Sequence, residues 1–415
     1  MLPLVARGQT LEECQRGAAN NYPLIKRYAL IEEQTKESVR HIGKGWLPQL
    51  SASAQATWQS DVVTLPDALG KMMTQAGVDL KGLKKDQYRV GLDLNQTLFD
   101  GGAMSHEQEI ARRQGEVEAA QTTVDIYQVR QRVNDLYFQL LLTEQQRELT
   151  HDRLSLLEAS ERQFQSLYSK GVAAECDYNT VRAERISAQQ QEEELRGLFH
   201  DISLQLSVLC GMEVSHPVLP PVPTPAESMT NARPELSLLD QQIGLLDARE
   251  KALDSALMPK LSLFASGYYG YPGYDMYHDM LSHDWTWNGM VGARLTWNIG
   301  ALYTRKSDKA KLTAQRALAE AQRETFLFNN RLQEIQQTGA IERYRQQMEY
   351  DKEIVDLRGQ VRRASESKLA HGIIDAPTLV RDINNEHAAK IQRSIHEIEW
   401  LKEQYDRKIT LNVEH

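Results

Sequence analysis

The stretch LPQLSASAQATW, residues 47–58, decides the fold, because it alternates strictly after its proline. Leu50 and the alanines fall on one face, and the serines fall on the other. Alternation with a period of two predicts a β-strand with one apolar and one polar face. A related stretch, MPKLSLFA, follows at residues 258–265. The chain therefore contains this strand entry twice.

The repetition extends over most of the 415-residue chain. Matching prolines and glycines recur at equal separations in the two copies: Pro23 and Pro48 with Pro234 and Pro259, and Gly91 and Gly171 with Gly292 and Gly372. A repeat that keeps its internal distances indicates a duplicated structural unit.

The domain organisation follows from this duplication. Residues 9–210 form the first repeat and residues 231–410 the second, with a proline-rich linker at 211–230 and a short tail at 411–415. Residues 1–8 leave two interpretations open. They end in small residues that suit a cleavage site, yet they are too short for a complete signal peptide. The segment is either the remnant of a signal peptide or a disordered N-terminus.

Each repeat is predicted to contribute one β-hairpin. The strands are expected at about 49–59 and 87–99 in the first repeat, and at about 260–270 and 289–299 in the second. Aromatic residues near the strand ends suit the girdles of a membrane barrel. They are Trp58, Tyr88, Tyr268, Tyr269, Trp285, Trp287 and Trp297.

Helical patterns surround the hairpins. Residues 9–40 are predicted as helix, started by a capping box of Thr10 and Glu13, with a second start at Pro23. After the first hairpin, Ile126, Val133 and Leu140 recur every seven residues with Val129 and Leu136 between them, which predicts a coiled-coil seam.

This helix, from about residue 105 to 168, would be about 95 Å long. The chain then returns as helix, with a tip near residue 171, and the second repeat does the same near residue 372. The predicted fold class is mostly α with a β-barrel contribution. Its duplicated unit is a β-hairpin followed by a long antiparallel helical hairpin.

Composition excludes several classes of function. The net charge of −9 argues against nucleic acid as a partner, because phosphate binding needs a basic face. No run is apolar enough for a transmembrane helix. Cys14, Cys176 and Cys210 show neither a disulfide framework nor zinc spacing, so we expect small buried residues. Nucleotide-binding and hydrolase motifs are missing, and we predict no enzymatic activity and no cofactor. The histidines and aspartates at 274–284 could suit a metal, but a solvated extracellular loop is favoured.

Four strands cannot close a membrane barrel, because such barrels start at about eight strands. Two hypotheses therefore compete: a channel whose chains pool their strands, and a coiled-coil scaffold without a pore. The alternating strands favour the channel, since a scaffold has no use for hairpins with one wet and one apolar face.

Short motifs carry a family resemblance over nearly the whole chain. In order they are TLEEC at 10–14, NYP at 21–23, WLPQL at 46–50, VGLDL at 90–94, LFDGG at 98–102 and YSKGV at 168–172, followed by Asp177. In this order, and partly repeated, they resemble the TolC-like outer-membrane factor family of Gram-negative bacteria. The second copy departs from the pattern, with Asn298-Ile299-Gly300 in place of Asp-Gly-Gly.

The resemblance implies a homotrimeric α/β channel-tunnel in the lipid of the outer membrane, with a long periplasmic extension. It implies a barrel of twelve strands and a tunnel of about twelve helices. It also implies a periplasmic adaptor protein and an inner-membrane pump as partners, in a tripartite efflux or type I secretion system. The exported substrate, whether drug, metal or protein, and the class of pump stay open.

The same resemblance locates function at the hairpin tips, as the adaptor-docking and gated end. The residues concerned are Gly171, Asp177, Gly372, Asp375, Thr378, Arg381 and Asp382. Thr378 and Arg381 stand where relatives carry an acidic ring. Asp375 and Asp382 either replace that ring or are ordinary helix carboxylates. On the predicted polar strand face, Arg89, Asp93 and Arg294 would line the barrel lumen.

Overall fold

The computed structural model describes residues 8–78, 82–223, 231–371 and 373–412. Most of the proposed signal-peptide remnant, part of the linker, Gly372 and the last residues of the tail lie outside them. None of the helices in these ranges has an apolar stretch long enough to cross a membrane.

The helices are of two kinds, short ones that precede or connect strands and four long ones. The short helices are α1 (Leu11–Asn21), α2 (Lys26–Gly43), α3 (Asp67–Gln75), α6 (Pro234–Ala252) and α7 (Met276–Ser282). The long helices are α4 (Ala103–Ser169), α5 (Glu175–Cys210), α8 (Ala301–Ala370) and α9 (Ala376–Leu411). The strands are β1 (Gln49–Trp58), β2 (Asp86–Phe99), β3 (Lys260–Tyr271) and β4 (Thr286–Thr296). A mostly helical fold with a β contribution is confirmed.

The first helical segment has both of the starts predicted for it. The capping box is present, since the Glu13 N–H donates to Thr10 Oγ1 at 3.2 Å and the Thr10 N–H donates to the Glu13 carboxylate at 3.0 Å. The segment is then divided near Pro23 into two helices, and the second begins at Lys26 after a short turn. The chain leaves α1 at Tyr22 and makes a 3-10 turn that starts at Pro23 before α2 begins. A proline has no N–H for the helix, so the break occurs there.

The four strands form one antiparallel sheet in the order β1-β2-β3-β4. Each hairpin pairs internally, and β2 also pairs with β3, so that the two repeats share one sheet. Because β1 and β4 are the outer strands, the sheet has an edge at each side within the described residues.

The last strand ends earlier than predicted. It runs over Thr286–Thr296 rather than to residue 299, because a series of turns starts directly after it. The Ala301 N–H donates to the Asn298 carbonyl oxygen at 3.2 Å. In the first repeat, the corresponding exit uses two left-handed glycines, and Asp100 accepts hydrogen bonds from the backbone of Gly102 and Met104 at 2.8 and 2.7 Å. The sequence difference at this exit thus accompanies a different turn.

The chain forms two compact units that do not coincide with the two repeats. The first contains the described residues up to Ala29, Glu118–Asp240, and those from Glu320 onwards; the second contains Leu30–Val117 and Gln241–Ala319. Each unit therefore takes residues from both repeats, as a duplicated and intertwined structure requires.

The first unit has two apolar clusters among its long helices. One includes Leu11, Val133, Phe138 and Leu206 and is contributed by α1, α4, α5 and α9. The other lies toward the hairpin tips and includes Leu157 from α4 with other residues of α5, α8 and α9. Val129, Val133 and Leu140 of the predicted seam are buried, whereas Ile126 and Leu136 are half-buried.

The second unit repeats one arrangement in both halves. The helix before each hairpin packs on the start of the helix after it. In the first repeat, Gln108 of α4 donates to the Val39 carbonyl oxygen of α2 at 3.2 Å. In the second, Arg316 of α8 forms an ion pair with Asp247 of α6 at 3.0 Å. In both repeats, the helices on either side of the hairpin thus contact each other, through a hydrogen bond in the first and an ion pair in the second.

Candidate functional site

One face of the sheet is apolar across all four strands. The register aligns Leu50 with Leu94, Leu92 with Gly267, and Ala265 with Val291. These side chains are open rather than packed on a core: Val291 is 80% exposed and Trp287 is 82% exposed. An apolar face of this extent that lies open to the surroundings marks an interaction site for lipid or protein.

The opposite face is polar and carries two of the predicted lumen arginines in matching settings. Arg89 of β2 lies over the Tyr268 ring of β3, with 4.1 Å from the guanidinium carbon to the ring centroid. Its Nη2 donates to Ser266 Oγ at 3.4 Å. Gly91 is the residue of β2 that pairs with Tyr268, and a Cβ at Gly91 would come within 2.9 Å of the Tyr268 Cβ.

The second arginine has the same arrangement on the other hairpin. Arg294 of β4 lies over the Phe264 ring of β3 at 5.1 Å. A Cβ on Gly292 would approach that ring to 2.7 Å. Each arginine therefore lies over an aromatic ring of β3 whose residue is paired with a glycine, and this contact keeps both guanidinium groups close to the sheet surface. The third predicted lumen residue, Asp93, is half-buried on this face between Ser51 and Ser266 in the register.

The sequence signal for these rings was available but missed. Phe264 and Tyr268 occupy positions of β3 that face the polar side of the sheet. Tyr268 pairs with Gly91, two residues after Arg89, and Phe264 pairs with Gly292, two residues before Arg294. Tyr268 consequently belongs to the polar face and not to the aromatic girdle in which it was placed.

Most of the other predicted girdle residues cluster at the loop end of the sheet on its apolar face. Trp297 does not, because it follows the opposite end of β4, where its Nε1 donates to the Leu257 carbonyl oxygen at 2.9 Å. Tyr88 stacks on Trp285 with 6.0 Å between ring centroids, and Tyr269 contacts both Trp285 and Trp287 at 5.4 and 5.1 Å. Rings with an apolar body and a polar edge suit the boundary between lipid and water.

The loops at this end are built by internal hydrogen bonds. Asp279 is buried, and its carboxylate accepts from the Gly273 N–H at 2.6 Å. Asp275 caps α7, and His283 Nε2 lies 2.6 Å from the Gly82 carbonyl oxygen. Among the described residues, no group of three or more histidine, cysteine or acidic side chains could hold a metal ion.

The first hairpin tip is a left-handed glycine turn. Gly171 has a φ of +70°, and the Val172 N–H donates back to the Leu167 carbonyl oxygen at 2.9 Å, which closes α4. Val172 is 73% exposed. Asp177 lies in the first turn of α5, where a negative charge is favourable.

The second tip uses the same closing hydrogen bond. The Ile373 N–H donates to the Lys368 carbonyl oxygen at 2.9 Å, and Ile373 is 69% exposed. Asp375 begins α9, because its carboxylate accepts from the Thr378 N–H at 3.1 Å. Hydrogen bonds from Thr378 hold the pKa of Asp375 below its ordinary value. Both tips therefore present an exposed β-branched apolar residue.

The acidic candidates at this tip lie in different surroundings. Asp375 is exposed, and Arg381 is exposed as well. Asp382 is only 8% exposed, and its carboxylate accepts from Ser365 Oγ at 2.6 Å between α8 and α9. In the described chain, Asp375 is thus the acidic candidate that faces solvent.

The cysteines do not all follow the expectation of small buried residues. Cys14 and Cys210 are buried, but Cys176 is exposed in the first turn of α5. The prediction for Cys176 is therefore wrong, because the first turn of α5 lies at the hairpin tip and is exposed to solvent on its outer side. The structure also brings Cys14 and Cys210 into the same buried cluster, although they are far apart in sequence.

Comparisons with known proteins agree with this architecture. Residues 16–212 match the family model described as outer membrane efflux protein. No curated protein sequence matches the chain. Three crystal structures share its fold over 97% of its length. They are the CmeC outer membrane channel of Campylobacter jejuni (14% identity, 85% of that chain, TM-score 0.70), the outer membrane protein VceC of Vibrio cholerae (12%, 94%, 0.67) and the MtrE outer membrane channel of Neisseria gonorrhoeae (15%, 88%, 0.67).

At these identities the structural neighbours establish the fold alone. The family model shows that residues 16–212 are also similar in sequence to outer membrane efflux proteins. The matched family model is described as an outer membrane efflux protein, and two of these structures are described as outer membrane channels. Together they support a role as an outer-membrane efflux channel. The resemblance to the TolC-like outer-membrane factor family is thereby confirmed, through the family model over residues 16–212 and through the fold over almost the whole chain.

Proposed function

We propose that three copies of this chain form a passive exit duct that spans the outer membrane and extends into the periplasm. In this proposal the duct is the outer-membrane component of a tripartite efflux or type I secretion system. The observation that carries it is the four-stranded sheet with one open apolar face, one polar face and two edges.

The dimensions of the strands suit a membrane. At a rise of about 3.3 Å per residue, the 11 residues of β4 would extend about 36 Å. A tilt of about 45° reduces the height to about 26 Å, which agrees with the apolar band of about 25 Å on membrane barrels. The apolar face would contact lipid, and Arg89, Asp93 and Arg294 on the polar face would line the lumen.

The edges support closure by several copies. The strands alternate in direction, so β4 of one copy would meet β1 of the next in antiparallel orientation. Two copies would give an eight-stranded barrel, whose interior is filled by side chains. Three copies are the smallest number that leaves room for a channel, and the family resemblance also implies three.

The long helices offer a second contact between copies. Apolar side chains on α8 remain exposed in the single chain and recur at helical spacing: Phe328, Leu332, Ile335, Ile354, Leu357 and Val361. Such a stripe is typical of a helix that packs laterally on neighbours. It supports a tube of helices that continues from the strands.

We further propose that the hairpin tips dock the periplasmic adaptor and form the gate. The exposed Val172 and Ile373 would offer apolar contacts to the adaptor. The two helical hairpins would bend at their tips, near Gly171 and Gly372. Asp375 would face the entrance, and three copies of it would attract cations. The inner-membrane pump would then deliver its substrate through the adaptor.

Fractionation and mass measurement test the proposal together. We expect the protein in the outer membrane and, in mild detergent, a native mass of three chains. A monomer that stays soluble without detergent would support the scaffold hypothesis instead. Deletion of the gene should increase sensitivity to exported compounds, or abolish protein secretion, depending on the pump that it serves.

A further inference from the structure

Two thiols meet where the N-terminal helix packs on the end of the first helical hairpin. Cys14 lies on α1, and Cys210 is the last residue of α5. Both side chains are buried in the same apolar cluster, where the two thiols are neighbours. Neither residue belongs to the sheet faces or to the tips, so the proposed duct gives them no role.

A glycine allows the two helices to approach closely at this point. A Cβ on Gly17 would lie 2.7 Å from the Cys210 carbonyl oxygen and 3.5 Å from the Cys210 Cβ. Cys14 stands three residues before Gly17, on the same side of α1. A disulfide requires Cβ atoms that are roughly 3.5–4.5 Å apart. Two neighbouring buried thiols on such closely packed helices need little movement to reach that separation.

The junction is also held by contacts that do not involve sulfur. Asn21 Nδ2 donates to the carbonyl oxygens of Val208 and Leu209 at 3.0 and 3.3 Å, and thus caps the end of α5. Gly211 then leaves the helix with a φ of +69°. These contacts hold α1 against the end of α5 without any covalent bond.

We propose that Cys14 and Cys210 form an intramolecular disulfide in the mature protein, which fastens α1 to the end of α5. This inference rests on the proposed function in one respect, because the periplasm is a compartment where disulfides form and persist. Buried cysteine pairs of this kind in a reducing compartment would remain thiols.

The oxidant is the disulfide of a thiol–disulfide oxidoreductase. One thiolate of the chain attacks that disulfide, which forms a mixed disulfide and releases one thiol of the oxidant. The second thiolate of the chain then attacks the mixed disulfide, forms the Cys14–Cys210 bond and releases the second thiol. The chain loses two electrons and two protons, and the oxidant becomes a dithiol.

The order of these steps follows from burial. Because both thiols are buried once α1 has packed, the oxidant must reach the chain before packing is complete.

Counting free thiols tests the disulfide. The full chain is denatured with a maleimide-polyethylene glycol, with or without prior reduction, and its adducts are counted on a gel. We expect one adduct without reduction, on Cys176, and three after reduction. Three adducts in both samples would overturn the inference.

Three single variants identify the thiols involved. Cys14→Ser and Cys210→Ser should each give two adducts with or without reduction, whereas Cys176→Ser should give none without reduction and two after it. If unreduced Cys14→Ser or Cys210→Ser gave one adduct instead of two, the remaining cysteine would have another partner and the Cys14–Cys210 pairing would be contradicted. A dithiol reductant should also lower the thermal midpoint of the wild type and of Cys176→Ser, but not that of Cys14→Ser.

The same samples separate this inference from the proposed function. The adducts are counted in whichever cell fraction holds the protein, and the fraction itself is recorded. One adduct in protein outside the outer membrane would support the disulfide and contradict the duct. Three adducts in a trimer from the outer membrane would contradict the disulfide alone.

Discussion

A charge placed on the apolar face of the sheet should prevent assembly, whereas the same charge on the neighbouring residue should not. Val291 is the sixth of the 11 residues of β4, and its side chain is 80% exposed on the apolar face. If that face contacts lipid, Val291→Arg places a guanidinium near the middle of the bilayer. We expect this to cost about 2–4 kcal/mol in each chain.

The cost applies once per copy, so a trimer would lose about 6–12 kcal/mol. Since 1.4 kcal/mol corresponds to a factor of ten, each chain alone would shift the insertion equilibrium by roughly 30-fold to several hundred-fold. That shift is large enough to appear as a loss of assembled protein from the outer membrane.

The matched control is Met290→Arg. Met290 precedes Val291 in the same strand, pairs with Ser266 and points to the polar face. The introduced residue and its depth are therefore the same, and only the face differs. Assembly is measured as the amount of trimer recovered from the outer membrane in mild detergent. Equal recovery of the two variants, or selective loss of Met290→Arg, would refute the assignment of the faces.

Three further predictions concern the helices. Gly171→Val should strain the left-handed turn and reduce export in a susceptibility assay, while the trimer still assembles; normal export would remove this tip from docking and gating. Asp375→Asn keeps the helix cap but removes the charge, so the reversal potential in a salt gradient should move away from cation preference, and an unchanged potential would exclude Asp375 from the pore lining. Burial lowers the pKa of His387 from 6.5 to about 4. The folded protein then binds fewer protons than the unfolded chain between these values, and stability should fall as the pH decreases from 6.5 toward 4, with a slope of up to about 1.4 kcal/mol per pH unit. His387→Asn should remove this part of the pH dependence of the thermal midpoint, and an unchanged profile would contradict it.

The features that the sequence predicts well are local ones. Side-chain direction in a strand alternates with every residue, so the alternation after Pro48 already separated the two faces of β1. The long helices were predictable because few glycines and no prolines interrupt residues 103–169. The left-handed turn at Gly171 follows equally from the break in this pattern.

The features that escaped prediction depend on residues far apart in sequence. The pairing of β2 with β3 joins the two repeats, and no local pattern specifies it. The same is true of the contact between Cys14 and Cys210. Asp382 was grouped with Asp375 by proximity in sequence, but its contact with Ser365 on the preceding helix decides its surroundings. The early end of β4 reflects a turn that differs between the two copies.

The open edges of the sheet also have a consequence for the life of the chain before assembly. An exposed edge strand presents free N–H and C=O groups on which any other strand can add, which is a route to aggregation. The edge strand β1, QLSASAQATW, contains no proline and no charged residue, the devices that usually blunt such an edge. Before assembly, a newly made subunit can therefore pair through this edge with strands of other chains and aggregate. We expect the cell to shield this strand with a chaperone during transit and to tolerate overproduction of the protein poorly.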